Sequence, residues 1–263
     1  MLPPERAELL ALMDLNMVAC YRADTRATPG GEVVEVPGLV MFRTPLGRVT
    51  TNMAIVTGDI DAGAIRALTA EVYHPTDSPY SVWTREHADT ALEPALNHLG
   101  FHQIHREPGM VFLPDAGPAV PPPAGVTIRP VREDPERAAY RDLVTKAFAV
   151  YGVPEDSLAE HFATQESVSG PTTQAYVAYR DGRAVAGAIL YMADGVGGIG
   201  WVGTLPDEFG RGYGRAITWA VIEEGIWRGA RFMNLQASPM GEPMYRKMGF
   251  TTPTHYRWFL PSD

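Results

Sequence analysis

The sequence predicts an α/β protein: a mixed sheet with helices on both faces. Three features carry that expectation. Strand-like and helix-like patterns alternate along the chain, as they do where helices must cover a sheet. Two apolar runs meet across Asp181-Gly182, a pair that favours a tight hairpin turn. A stretch with glycine at 210, 212 and 214 separates a strand pattern from a helical one.

The first expected element is a helix over Pro3 to Met17. Leu9, Leu10, Leu12, Met13 and Met17 follow helical spacing, with Glu5, Arg6 and Glu8 on other faces. Strands are expected over Val33 to Arg43 and Val49 to Val56, broken by Pro37-Gly38 and Pro45-Leu46-Gly47. A helix over Ile60 to Tyr73 sets Ile65, Leu68 and Val72 on one side. Tyr80 to Thr84 reads as a short strand. Asp89 to Leu99 reads as a helix that Gly100 can end, because glycine tolerates the left-handed backbone of a C-cap. Met110 to Leu113 reads as another strand. Residues 114–125 then carry five prolines, which makes them extended and poor in donors, as linkers are. The expected organisation is therefore one unit over 1–113, a linker over 114–125 and a second unit over 126–263.

In the second unit, Val126 to Val131 is an expected strand. Asp134 to Val150 is an expected helix that turns Leu143, Val144, Ala147 and Phe148 inward. A short helix over Ser157 to Gln165 follows. Ala175 to Tyr179 and Ala184 to Met192 form the hairpin, and Ile199 to Thr204 the next strand. Gly214 to Arg228 is helical, Arg231 to Ala237 and Tyr256 to Leu260 are strands.

The turn between Thr204 and the helix at Gly214 is the centre of the functional reading. Gly210, Gly212 and Gly214 let backbone N–H groups approach a ligand without a Cβ in the way. The helix that follows cannot satisfy its own first N–H groups. Together these predict an anion seat, suited to phosphate, with Arg211 and Arg215 adding charge. The spacing is neither the dinucleotide fingerprint, since Arg215 stands where a third glycine should fall, nor a Walker loop, since no Gly-Lys-Ser/Thr follows. A glycine-rich turn without a ligand is the plainer alternative.

Taken in order, Thr204-Leu-Pro, the G-x-G-x-G loop and Tyr245-x-x-x-Gly249-Phe250 resemble the GNAT superfamily of N-acetyltransferases, over Val126 to the C-terminus. Phe209 departs from the pattern, since the family usually has Arg or Gln there. The resemblance implies transfer of an acetyl group from acetyl-CoA to a primary amine. It implies that the pyrophosphate lies on Gly210, Arg211, Gly212, Tyr213, Gly214 and Arg215, and that the pantetheine amides pair with Val202, Gly203 and Thr204 as an added strand would. It places Ser238 as a polar contact to that arm, or else as a helix N-cap. It makes Tyr245 the general acid, because a tyrosine hydroxyl near ~10 can protonate a departing thiolate whose thiol lies near ~8.5. A tyrosine merely packed on the sheet is the alternative. No base is identified; Glu166, Glu242 and His161 qualify by residue type only, with His161 otherwise a surface or packing residue. Asp207 and Glu208 read as solvated loop residues. A binding module that senses acyl-CoA without turnover, or a transferase for a longer acyl group, stand as alternatives.

The first unit resembles a worn copy of the same plan. Leu99-Gly100-Phe101 echoes Met248-Gly249-Phe250. Asp61 lies as far before Phe101 as Gly210 lies before Phe250, and Leu96 takes the place of Tyr245. Carboxylates thus stand where phosphate would have to go, so this half is expected not to bind the coenzyme. An unrelated α/β domain is the rival reading.

Composition bounds the rest. A formal net charge of −9 argues against broad nucleic-acid binding, whose phosphates need a basic face. One cysteine, Cys20, permits no disulfide framework and is expected to be buried. No cluster has metal-ligand spacing, so no metal is expected. No signal-peptide pattern and no apolar run of ~20 residues is present, so a cytoplasmic location is expected. Trp201, Trp219 and Trp227 are expected in core or interface. Oligomeric state and acceptor stay open.

Overall fold

The computed structural model describes residues 5–117, 120–152 and 155–262. The expected start of the first helix at Pro3 and linker residues Pro118 and Ala119 lie outside them. The N-terminal half runs α1 (Arg6–Ala27), β1 (Glu32–Val36), β2 (Leu39–Arg43), β3 (Met53–Val56), α2 (Ala62–Tyr73), β4 (Ser81–Arg85), α3 (Glu93–His98) and β5 (Phe101–Phe112). The C-terminal half runs β6 (Val126–Pro130), α4 (Asp134–Phe148), α5 (Glu155–His161), β7 (Thr173–Arg180), β8 (Arg183–Ala193), β9 (Val196–Thr204), α6 (Tyr213–Trp227), β10 (Met233–Gln236), α7 (Glu242–Lys247) and β11 (Thr251–Pro261). The mixed α/β class is as the sequence predicts.

All eleven strands form one sheet in the order β1-β2-β3-β4-β11-β5-β10-β9-β8-β7-β6. From the two ends inward the order runs in a similar way, with one strand fewer on the N-terminal side, β1-β2-β3-β4-β11 against β6-β7-β8-β9-β10-β5. In each half an antiparallel meander leads through a helix to a parallel strand, β3-α2-β4 and β9-α6-β10. The last strand of each half then joins the other half. β11 pairs antiparallel with β4, Trp258 opposite Trp83, and β5 pairs antiparallel with β10, Asn234 opposite Val111. β5 and β11 also pair with each other, Glu107 opposite Tyr256.

Several elements are longer or shorter than the sequence predicts. Helix α1 runs ten residues beyond Met17, to Ala27. Its buried face includes Asp14, Asn16 and Asp24, so an apolar period cannot mark it. Asp14 accepts from Tyr256 Oη at 2.9 Å and pairs with Arg85 at 3.2 Å, while Asn16 donates to the Val196 carbonyl at 3.1 Å. These bonds anchor one helix to both halves. Strand β5 starts at Phe101 instead of Met110 because its first part carries an exposed polar face. Strand β11 likewise spans Thr251–Pro261. The expected strand start at Val49 is instead a loop, closed by Thr44 N–H donating to Asn52 Oδ1 at 2.7 Å and by Ser81 Oγ donating to the Val49 carbonyl at 2.6 Å. Helix α3 begins at Glu93, four residues late, after turns through Asp89.

Aromatic and aliphatic side chains fill the layers between sheet and helices. Trp219, Ile217, Val221 and Ile222 of α6 pack on Leu190 and Met233, while Ile65 and Tyr73 of α2 pack on Met41 and Val82. Trp227 departs from expectation: at 81% exposure it stands in solvent at the end of α6.

Candidate active site

The site is built where β9 and β10 part. They pair only at Gly197–Met233 and Gly198–Asn234; from Ile199 onward β9 runs on without a neighbour on that edge. Its other edge stays on β8, with an irregularity. Gly200 faces Ile189 and Gly203 faces Gly187, so Trp201 and Val202 together oppose Ala188. That bulge holds Trp201 at φ +52°, a left-handed conformation costly for a bulky residue. Packing holds it there: Phe148, His161 and Phe162 surround the indole, and its Nε1 donates to Asp24 Oδ2 at 2.8 Å. At Gly203 a Cβ would lie 2.9 Å from the Ala147 Cβ, so glycine allows α4 to sit against β9.

After β9 the chain makes a 3₁₀ turn, Pro206–Glu208, and enters the glycine loop. Gly210 and Gly212 adopt φ +78° and +82°, conformations that suit glycine. Gly212 caps α6 and offers no side chain to it. The first backbone bond into the helix is from Ala216 N–H to the Gly212 carbonyl. Among the described residues, no carbonyl or side chain accepts from the N–H groups of residues 210–215. Six successive donors and a helix N-terminus therefore face one opening. Tyr213 contributes its backbone only, since its ring is buried in the core.

The two arginines differ. Arg211 lies 3.1 Å from Glu208, which also takes Arg183 at 3.0 Å. Glu208 is thus a buried, doubly paired carboxylate, not the solvated residue expected, while Asp207 is exposed and pairs with Arg183 at 2.8 Å. Arg215 has no ion pair among the described residues, so of the two arginines it is the one left for an anion.

A cleft of about 1080 Å³ extends from this loop between β9 and α7. Val202, Gly203, Thr204, the loop, Ser238 and Tyr245 all line it. Exposed Val120, Val150, Phe209 and Met240 form apolar parts of its wall. Ser238 Oγ accepts from Gly241 N–H at 3.2 Å and meets Tyr151 Oη at 3.2 Å, so it braces the turn before α7 and also reaches the cleft.

A second cavity, about 380 Å³, lies on the other side of the gap and shares Tyr151, Val202, Ser238 and Tyr245 with the first. Tyr245 is buried, its hydroxyl has no hydrogen bond among the described residues, and burial holds that hydroxyl well above the usual tyrosine value. It is a retained proton at the junction of two spaces.

The second cavity also holds a carboxylate that sequence reasoning missed. Glu107 of β5 lies beyond the end of β10, whose register with β5 stops at Gln236–Gly109. It is partly buried and has neither ion pair nor hydrogen bond among the described residues. Burial pushes its carboxyl up to about 7. Asp24 lines the same cavity and is also pushed up by burial, but both its oxygens are engaged, by Tyr191 Oη at 2.5 Å and by Trp201. Cys20 is half-buried in the wall, and burial keeps its thiol protonated. The three bases expected by type do not line either cavity. Glu166 is exposed, Glu242 accepts from Arg246 at 2.9 Å, and His161 is buried behind Trp201 with Nδ1 on Thr28 Oγ1 at 2.9 Å. The missed signal was topological: only the strand exchange brings Glu107 beside β10.

In the N-terminal half the matching turn is closed. Asp61 caps α2 by accepting from Ala64 N–H at 2.9 Å, so its own carboxylate occupies the helix start. Among the described residues, no group of three or more His, Cys, Asp or Glu has the geometry of a metal site, and no helix is long and apolar enough to cross a membrane.

Comparison with known proteins bears on the fold and the family. No curated protein matches the sequence. The structure is similar to a GCN5-related N-acetyltransferase from Kribbella flavida at 20% identity and TM-score 0.72, covering 94% of this chain and 96% of that one. A functionally unknown conserved protein from Staphylococcus epidermidis aligns at 17% identity and TM-score 0.65, covering 89% and 94%. A GCN5-related N-acetyltransferase from Sphaerobacter thermophilus aligns at 18% identity and TM-score 0.60, covering 85% and 80%. The Acetyltransferase (GNAT) family profile matches residues 137–250, the stretch that contains β9, the glycine loop, α6 and Tyr245. Residues 137–250 therefore form a domain of the GNAT acetyltransferase family.

Proposed function

We propose that the protein transfers an acetyl group from acetyl-CoA to a primary amine, with Glu107 as general base and Tyr245 as general acid. The observation that carries this reading is the run of unpaired N–H groups over 210–215, opening on a cleft that leads to Tyr245.

The cleft fits the coenzyme. The loop donors and Arg215 suit a pyrophosphate. The unpaired edge of β9 at Val202, Gly203 and Thr204 suits the amides of the pantetheine arm, and the apolar wall suits its methylenes. The coenzyme supplies a thioester whose carbonyl carbon is open to an amine. Glu107 takes a proton from the incoming ammonium, freeing its lone pair to form the C–N bond, passes that proton to solvent, and as a carboxylate again takes the second proton that the amide nitrogen must lose. Free N–H groups of β9 near the bulge stabilise the oxygen as charge grows on it. As the C–S bond breaks, Tyr245 gives its proton to sulfur and regains one from solvent. One proton is released to solvent per turnover. Burial raises the tyrosine, so its hydroxyl holds its proton until the thiolate leaves.

The first half is proposed to be the worn second copy. The similar course of the two halves, each a meander, a helix and a parallel strand, supports a duplication, with units over 1–113 and 126–263 joined by 114–125, and the Asp61 cap supports the loss of its anion seat.

Two measurements test the reading. Titration calorimetry should give one acetyl-CoA per chain; two would restore a site to the first half. Amine-dependent thiol release should fall on the order of 10²-fold in Tyr245→Phe, with coenzyme affinity little changed. Coenzyme binding without thiol release for any amine would favour a sensor instead. Greater turnover with longer acyl thioesters would correct the donor.

A further inference from the structure

We infer that the acceptor is a small amino acid, an amine that carries its own carboxylate, held at the carboxylate end by Arg48. This deepens the reading above and rests on it for the identity of the amine end.

The second cavity has poles of opposite charge. One is Glu107, in the wall of the cavity that Tyr245 also lines. Another is Arg48, on the loop between β2 and β3. Arg48 forms no ion pair among the described residues, and its Nε is buried without a hydrogen-bond partner. A buried guanidinium N–H without an acceptor is unfavourable, and a ligand oxygen would relieve it. The cavity holds no second fixed cation: His105 is its other basic side chain, and burial holds that imidazole below its usual value.

The arginine stands on a braced loop. Its backbone carbonyl accepts from Thr51 N–H at 3.0 Å and Asn52 N–H at 2.6 Å, and Asn52 is fully buried. Exposed Thr50 beside it adds a hydroxyl at the cavity wall. A planar, braced guanidinium matches the two oxygens of a carboxylate. The walls between the poles are aromatic, including Tyr21, Phe148, Trp201 and Trp258, which suits the body of a side chain. The volume of about 380 Å³ admits a molecule of amino-acid size and not a folded protein surface. A polyamine would set a second ammonium against Arg48, and a neutral amino sugar would leave it unpaired.

The test uses the full chain with acetyl-CoA, the free L-amino acids, their C-terminal carboxamides and the matching decarboxylated amines. Thiol release and direct binding to the coenzyme-loaded protein are both followed. The best free acid should exceed its carboxamide in kcat/KM on the order of 10- to 100-fold, the worth of a charge-assisted pair. In Arg48→Met that preference should vanish through KM, and Arg48→Lys should restore part of it. If carboxamides or simple amines react as well as acids, or Arg48→Met keeps the preference, the inference falls while amine acetylation stands. If acids bind with dependence on Arg48 but release no thiol, acetylation falls while recognition stands. If free acids neither bind nor react, the inference is overturned.

Discussion

Glu107 is asked to do two things that oppose each other. As a base it must be ionised, yet its partly buried and unpaired position makes ionisation unfavourable. Its folded value, about 7, lies above the unfolded value near ~4.3. The folded state therefore carries no penalty from this group below the unfolded value, a growing one as pH rises, and the full one above about 7. Activity has the reverse sign: kcat/KM should fall as pH drops below about 7, because the carboxylate is the working form. Burial raises Tyr21, Tyr191, Tyr245 and Cys20 away from this range, and burial lowers the His105 imidazole. Glu107→Gln should then lower turnover on the order of 10²- to 10⁴-fold and flatten the acidic limb. The same variant should unfold at a higher temperature than the parent at pH 8, where the parent buries a charge. A variant that loses activity and stability together would argue for a structural role.

At the scale of the element, the loop-helix unit at 205–227 works because it lacks a cap. Asp61 shows the alternative in the same molecule: one side-chain oxygen on Ala64 N–H stabilises α2 and closes its N-terminus to ligands. Gly212 leaves α6 uncapped and open. Gly212→Ala should cost about 1–2 kcal/mol, because φ +82° disfavours a Cβ even though that Cβ would meet Pro123 and Arg215 only at ordinary contact distances. It should also weaken coenzyme binding on the order of tenfold in calorimetry, since the donors before the helix must turn away; unchanged affinity would detach the loop from the ligand. This unit was legible in the sequence, glycine by glycine, because local backbone demands write themselves into residue type. The hairpin at Asp181-Gly182 was legible for the same reason. Helix α1 beyond Met17 was not: Asp24 and Asn16 are buried by bonds to Tyr191, Trp201 and the Val196 carbonyl, partners distant in sequence. Nor was Glu208 as a buried ion pair, since Arg183 reaches it from the start of the neighbouring strand β8. Glu107 stayed hidden in a polar run, and only pairing with β11 and the reach past β10 give it a role.

At the scale of the molecule, the exchange of last strands makes the two halves depend on each other. Strand β11 has β4 on one edge and β5 on the other, both from the N-terminal half. Trp258 on β11 stacks on Trp83 of β4 at 4.3 Å between ring centres. Strand β10 has β5 as its antiparallel neighbour, so the C-terminal half alone would leave that edge bare. Helix α1 adds a further tie through Asp14 to β11 and Asn16 to β9. The proposed active site inherits this dependence, because Glu107 and Arg48 come from one half and Tyr245 and the glycine loop from the other. Pulling the halves apart would break three strand pairings, β11 with β4, β11 with β5 and β10 with β5, and expose the aromatic faces of the proposed acceptor cavity. Calorimetry of the full chain should therefore show one unfolding peak whose calorimetric and van't Hoff enthalpies agree, despite the linker between the halves. A two-peak trace, with thiol release lost at the first, would mean that the halves unfold separately and that the exchanged strands contribute little to holding them together.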